Sequence, residues 1–259
     1  MARPTYGARV IVLRKTKLGE TDLVLTMLAS DGSQLRAVAK GARKPANTFA
    51  ARLELYSVAD VLLASGKSLD IVKEARIVES NERVRLDLEH ATAAACMAEL
   101  LDRVTQADLV EERLFACLQV ALRELGGAGL AAVPALCAAE LLKTFAFCGL
   151  RPSLASCAVC GAPVPLERDG LVAFATGEGG AVCASCRPRV QTTMREASTL
   201  RCAEGLVHET FARIAADPPA AGESMEVLQL CRAWAHAHVG CSLKSLDFLL
   251  ATQSFEQGA

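Results

Sequence analysis

The chain has 259 residues, a formal net charge of −1 and 52% apolar residues. At roughly 100–200 residues per domain this suggests two domains, or one with an insertion, and so apolar a composition excludes disorder along most of the length. The longest apolar stretch, residues 130–139, ends at Glu140, short of the roughly 20 residues of a membrane span, and the first residues lack a secretory pattern, so the expected location is the cytoplasm.

The first third reads as β-structure. Segments 8–14, 22–28, 34–40, 58–63 and 69–78 are short and rich in apolar and β-branched residues, with turns at Ser30-Asp31-Gly32-Ser33 and Ser65-Gly66. Five such strands have the size of a small barrel or sandwich. From about residue 82 the period changes. Val84, Leu88, Ala91, Ala95, Ala98 and Leu101 recur at spacings of three and four, which marks one face of a helix. A second helix is expected over 109–125, ended by Gly126-Gly127, and a third from Pro134 to Cys148, stopped by Gly149. Further helices are expected over 204–216, 225–239 and 242–250, the first two separated by Pro218-Pro219. Between them, 151–190 is rich in Gly, Pro and Cys. The expected fold class is therefore α+β: a small β-barrel domain over 1–80, then an α-helical domain over 81–259 with an insert at 151–190.

Charge divides along the same line. Residues 1–80 hold 13 Lys and Arg against 8 Asp and Glu, whereas the remainder holds 15 against 21. A basic first part suggests a polyanionic partner for that part alone. Its densest run, 36–52, carries Arg36, Lys40, Arg43, Lys44 and Arg52 with no acid. Strand alternation puts Arg36 and Lys40 on one face, opposite Leu35, Ala37 and Ala39, and Gly41 then frees a loop for Arg43 and Lys44. Arg14, Lys15 and Lys17 leave the first strand nearby and join them as candidates for a phosphodiester backbone. Phe49 is read as a packing residue before a base-stacking one.

Eleven cysteines are too sparse, and odd in number, for a disulfide scaffold. Cys96, Cys117, Cys137, Cys148, Cys231 and Cys241 fall in alanine-rich helical patterns, as small buried residues do. Cys157-x-x-Cys160 and Cys183-x-x-Cys186 differ. Each pair can fold into a knuckle that aims two thiolates at one point, and residues 171–175 and 181–182, joined through Gly177 to Gly180, form the hairpin between them. Four cysteine ligands fill the coordination sphere of one Zn²⁺ and leave no position for water, so the expected role is structural.

No catalytic constellation emerges. G-x-x-x-x-G-K-[ST], H-E-x-x-H, G-x-S-x-G and the zinc-deaminase pattern are all absent. His236 and His238 fall on different faces of a helix, and Glu20 and Asp22 lie in a polar inter-strand loop. The chain is not expected to be an enzyme.

Several motifs occur together in a fixed order. Leu18-Gly19-Glu20-Thr21-Asp22 follows the first strand, and Ala39-Lys40-Gly41-Ala42-Arg43-Lys44 follows the third. Glu140-Leu141-Leu142, the run from Phe145 to Pro152, the two cysteine pairs and Leu243-Lys244-Ser245 come after them. In that order, and over nearly its whole length, the chain resembles the RecO family of bacterial recombination mediators. The resemblance implies an N-terminal OB-fold, a helical domain and a zinc-ribbon insert. It implies a non-enzymatic function: binding single- and double-stranded DNA, annealing strands coated with single-stranded-DNA-binding protein (SSB), and acting with RecR to help load RecA. It also implies a cytoplasmic, nucleoid-associated protein. DNA contact is carried onto Lys40, Arg43 and Lys44, and metal ligation onto Cys157, Cys160, Cys183 and Cys186. SSB is expected to dock its acidic C-terminal tail on the helical domain, whose third helix offers Lys143. The alternatives are a zinc-ribbon protein–protein adaptor without direct DNA binding, and a hydrolase or deaminase with an atypical site. Arg187, Arg189 and Arg195, beyond the second knuckle, read as solvated surface.

Overall fold

Five strands with apolar residues on alternate positions close on themselves and leave no long exposed edge. They are β1 (Thr5–Leu18), β2 (Asp22–Ala29), β3 (Gln34–Ala39), β4 (Val58–Ala64) and β5 (Asp70–Glu79), in the ring order β1-β2-β3-β5-β4. Neighbours are antiparallel except β3 and β5. The barrel is OB-like, as expected. A computed structural model describes residues 4–44, 52–166 and 169–256; Phe49 lies outside the described residues.

One irregularity in β1 organises everything nearby. Val12 pairs with Met27, but Arg14 pairs with Thr26, so Leu13 is an inserted residue. Val10 and Val12 point into the barrel core with Leu25, Met27, Ala37 and Leu63. Ile11 and Leu13 point outward and join a second core with Leu28, Tyr56 and Val58. That outward face is where the helices sit.

The helices are α1 (Leu88–Val104), α2 (Glu112–Gly127), α3 (Val133–Phe147), α4 (Ala197–His208), α5 (Phe211–Ala216), α6 (Ala221–Trp234) and α7 (Lys244–Glu256). Asp87 caps α1 by accepting from the His90 N–H, and the Glu99 carboxylate accepts from the N–H groups of Lys244 and Ser245 at the start of α7. α3 is the hub. It carries Pro134 in its first turn, is buried along most of its length and packs against α1, α2, α4, α5 and α6. The stretch Leu130–Phe147 is long and apolar enough to cross a membrane, but most of it is buried against these neighbours, as a core helix is.

α4 starts at Ala197 and not at 204, α7 runs on to Glu256, and other departures from the sequence pattern have a visible cause. α2 begins at Glu112 because the preceding residues dock on the barrel: the Gln34 N–H donates to the Gln106 carbonyl, and the Glu111 N–H to the Asp31 carbonyl. The helix expected over 204–216 is two helices, broken before Thr210, whose hydroxyl caps α5. The helix expected over 225–239 is α-helical to Trp234 and then a π-helical turn, Ala235–Val239, closed by Gly240 at φ +71°.

The insert is a sheet of β6 (Leu171–Ala175), β7 (Gly180–Val182) and β8 (Thr193–Glu196) in the order β7-β6-β8. The expected hairpin is present, and β8 extends it and runs directly into α4. Phe174 meets Trp234 edge-on at 6.1 Å, so one face of this sheet belongs to the helical core.

Candidate metal centre and nucleic-acid interface

Backbone hydrogen bonds shape both knuckles. The Cys157 carbonyl accepts from the Gly161 N–H (2.8 Å), and the Cys183 carbonyl accepts from the N–H groups of Cys186 (3.1 Å) and Arg187 (3.0 Å). The Ala158 N–H donates to the Ala181 carbonyl and ties the first knuckle to β7. The four Sγ atoms of Cys157, Cys160, Cys183 and Cys186 lie within 4.8 Å of one another, with Cys160 and Cys183 3.7 Å apart. N–H groups aimed at Cys157, that of Cys183 above all, pull its thiol down to about 6, whereas contact with the Cys160 and Cys183 sulfurs pushes Cys186 up to about 12. Four sulfur donors this close together suit a soft metal ion. Elsewhere burial pushes Cys148 and Cys202 up to about 11, as for unreactive thiols.

The basic residues of the barrel do not share one face. Arg14, Thr26 and Arg36 stand side by side across β1, β2 and β3 on the outer face. Lys40 lies farther along, where β3 ends, and Arg43 and Lys44 are on the loop beyond it; Arg36, Lys40, Arg43 and Lys44 are all exposed. These form a stripe that starts at the edge of the helical domain and runs away from it. At that edge the Arg14 guanidinium is bound to Asp102 of α1 (3.0 Å), and Gln34 donates to the Asp102 and Thr105 carbonyls.

The other three candidates are placed apart. After the inserted Leu13, Lys15 and Lys17 pair with Leu25 and Leu23, on the opposite face of the ribbon from Arg14. Lys15 is bonded to Glu54 at 2.8 Å and is mostly covered, while Lys17 is exposed. Arg52 donates to the Ala75 carbonyl and lies over β5. Alternation alone separates Lys15 and Lys17 from Arg14, and the hairpin register decides which face each takes. Lys143 is also committed, its ammonium donating to the Val207 and Glu209 carbonyls. Arg187 and Arg189 are exposed, and Arg195 is half-buried on β8.

Asp22 has a role that sequence reasoning missed. Its carboxylate accepts from the Gly41 N–H (2.7 Å) and the Thr21 hydroxyl (2.9 Å), and the Gly41 N–H above all holds it below the usual carboxylate range. The Arg43 N–H donates to the Thr21 carbonyl, and its guanidinium to the Gly19 and Glu20 carbonyls. The loop after β1 and the loop after β3 are therefore one clipped unit that presents Lys40 and Lys44. The signal was available in the two acids of the first loop and the unbroken basic run of the second.

Two family descriptions divide the chain between them: "Recombination protein O N terminal" matches residues 1–81, and "Recombination protein O C terminal" matches residues 85–247. The chain belongs to the RecO family. The "DNA repair protein RecO" of Frankia casuarinae is 33% identical over 250 residues, covering 95% of this chain and 98% of that one. The protein of the same name from Symbiobacterium thermophilum is 34% identical over 190 residues, 73% of this chain and 74% of its own. That of Desulfitobacterium hafniense is 36% identical over 182 residues, 70% and 64% of the two chains. The junction between the two RecO regions falls at the short 3₁₀ turn Glu82–Arg85, between the barrel and α1. The basic stripe lies wholly in the first region and the four cysteines in the second.

Proposed function

We propose that this RecO-family chain is a non-enzymatic DNA-repair and recombination mediator of the cytoplasm, working on the nucleoid. It binds single- and double-stranded DNA, anneals complementary strands and, with RecR, helps load RecA onto SSB-coated DNA. The observation that carries this reading is the stripe of Arg36, Lys40, Arg43 and Lys44, held on the outer barrel face by the clipped loops. Two strands repel through their phosphates, and cations that neutralise a backbone lower the cost of bringing them together. Sequence readout is unnecessary, because the bases select their own partners. Lys17 is an additional contact at the flank, and Arg52, over β5, is not part of the stripe; Arg14 and Lys15 contribute only where DNA competes with Asp102 and Glu54.

The metal in this reading is one structural zinc per chain, held by Cys157, Cys160, Cys183 and Cys186. With Zn–S bonds of about 2.3 Å a tetrahedral site spaces its sulfurs roughly 3.8 Å apart, and the Cys160–Cys183 separation is 3.7 Å. Four thiolates leave zinc no open position, so it orders the knuckles and supplies no reaction chemistry. SSB tail docking falls to the helical domain, but not to Lys143, whose ammonium is already bonded.

The test is a salt-titrated DNA-binding and annealing assay without nucleotide. The triple variant Arg36→Glu/Lys40→Glu/Lys44→Glu leaves Arg43 to hold its loop. It should weaken binding to every sequence and lower the slope of log affinity against log salt by about one per lost contact. Annealing equal to the unaltered protein at every salt concentration would overturn the reading.

A further inference from the structure

The barrel carries a second basic concavity away from the stripe. Arg9 of β1 is paired with Asp60 of β4, and Asp60 with Arg76 of β5, so all three project from one outer face. Arg9 grips Asp60 through Nε (2.8 Å) and Nη2 (3.1 Å), and Arg76 adds to the positive field on the same carboxylate. The register of β5 slips between Val72 and Glu74, which makes Lys73 an inserted, exposed residue. Arg52 lies over the same strand, donating to the Ala75 carbonyl. Together they line an open trough of about 1140 Å³, whose charged lining among the described residues is Arg9, Arg52, Lys73 and Arg76 with Asp60 and Glu74.

Strand spacing of about 4.8 Å places the Arg9 and Arg76 backbones roughly 10 Å apart, and three residues of β5 place Lys73 about as far from Arg76. The cations are therefore spaced over a few phosphates. Among the described residues no aromatic side chain lines the trough, and what they offer a ligand is charge. Its middle strand, β4, is not a neighbour of β3, which carries Arg36, whereas β5, with Lys73 and Arg76, is paired with β3.

We propose that this trough is a second polynucleotide site, which takes the phosphodiester backbone of another single strand, so that one chain bridges two strands. The inference rests on the function proposed above. It adds that the stripe and the trough hold separate strands, each neutralised at its own site, and that Asp60 moderates the trough.

The experiment titrates the full chain with a short fluorescent oligonucleotide of about eight nucleotides and reads the number bound. A second arm reads capture of a labelled, non-complementary strand on an immobilised one. The unaltered chain should bind two oligonucleotides. Lys73→Glu/Arg76→Glu should bind one, with the remaining affinity changed less than about twofold, and should lose at least about tenfold in second-strand capture. The neutral pair Lys73→Gln/Arg76→Gln should show the same loss more weakly, and melting curves report whether either variant folds. Asp60→Asn should act in the opposite direction and strengthen capture. If the unaltered chain binds a single oligonucleotide, or the Lys73 and Arg76 variants capture the second strand as well as it does, the trough is not a site. If the unaltered chain binds no oligonucleotide at all, the proposed function fails instead.

Discussion

Two carboxylates show how far surroundings set the behaviour of one side-chain type. Asp22, at the surface, accepts two hydrogen bonds and stays ionised. Glu140, on α3, is completely buried; the Thr144 hydroxyl donates to its Oε1 at 2.8 Å, and its Oε2 has no hydrogen-bond partner. Burial pushes the Glu140 carboxyl up to about 8, so the folded chain holds it as a neutral acid. An unfolded chain ionises this group near pH 4.3. Between those two values the folded state binds the extra proton, so stability from this group is full at low pH and falls as pH rises toward 8. The slope is at most about 1.4 kcal/mol per pH unit. Glu140→Gln keeps the shape and removes the titration. Urea midpoints measured from pH 5 to pH 8 should fall for the native chain and stay flatter for this variant, which should be the more stable of the two at pH 8. Parallel pH profiles would show that the carboxyl is not held neutral.

At the scale of the elements, the insert divides into a part that needs a metal and a part that does not. The knuckles around 157–161 and 183–187 are turns, and in the zinc reading the ion supplies the free energy that orders them. β6 instead packs Phe174 against Trp234, whose indole N–H donates to the Leu150 carbonyl. Chelation, or Cys157→Ser, should therefore expose the knuckle amides to hydrogen exchange while β6 and the barrel stay protected. Loss of protection in β6 and α6 as well would mean that the insert folds as one unit with its metal. This also explains what could be read from the sequence. The five barrel strands and the β6–β7 hairpin were legible because each has its own alternation and turn. β8 was not: Thr193, Met194 and Glu196 are exposed, and only pairing with β6 makes the segment a strand. The break at Thr210 and the π turn after Trp234 were equally silent, because an apolar period does not record where a cap or an extra residue interrupts it. The cysteine quartet was fully legible, since its spacing is local. The basic set was legible as composition but not as a surface, because ion pairs with Asp102 and Glu54 depend on register and on another domain.

The molecule as a whole is held together where the barrel meets the bundle. Ile11, Leu13 and Leu28 enter the helical core, and the β2–β3 turn locks onto the start of α2. Gly32 is the tightest point of that lock: its φ is +85°, and an added Cβ would come within 2.0 Å of the Glu111 carbonyl oxygen. Gly32→Ala must therefore shift the junction itself and should cost more than about 2 kcal/mol. Gly19 has φ +60° with nothing within 4 Å, so Gly19→Ala meets backbone strain alone, about 1–2 kcal/mol. Denaturant midpoints of the two variants check this, and equal losses would show that the turn does not bear on the bundle.

The inserted Leu13 has a last consequence, for how this strand can change over evolutionary time. Every side chain from Arg14 to Leu18 takes its inward or outward direction from a count that begins there. Conservative replacement at any of these positions leaves the count intact. Deleting Leu13 itself would leave those directions as they are, because Arg14 would then follow Val12 in regular alternation, but it would remove a side chain from the helical core. Deleting a codon after it reverses every side chain beyond the cut, so in this stretch chain length is under tighter constraint than residue identity.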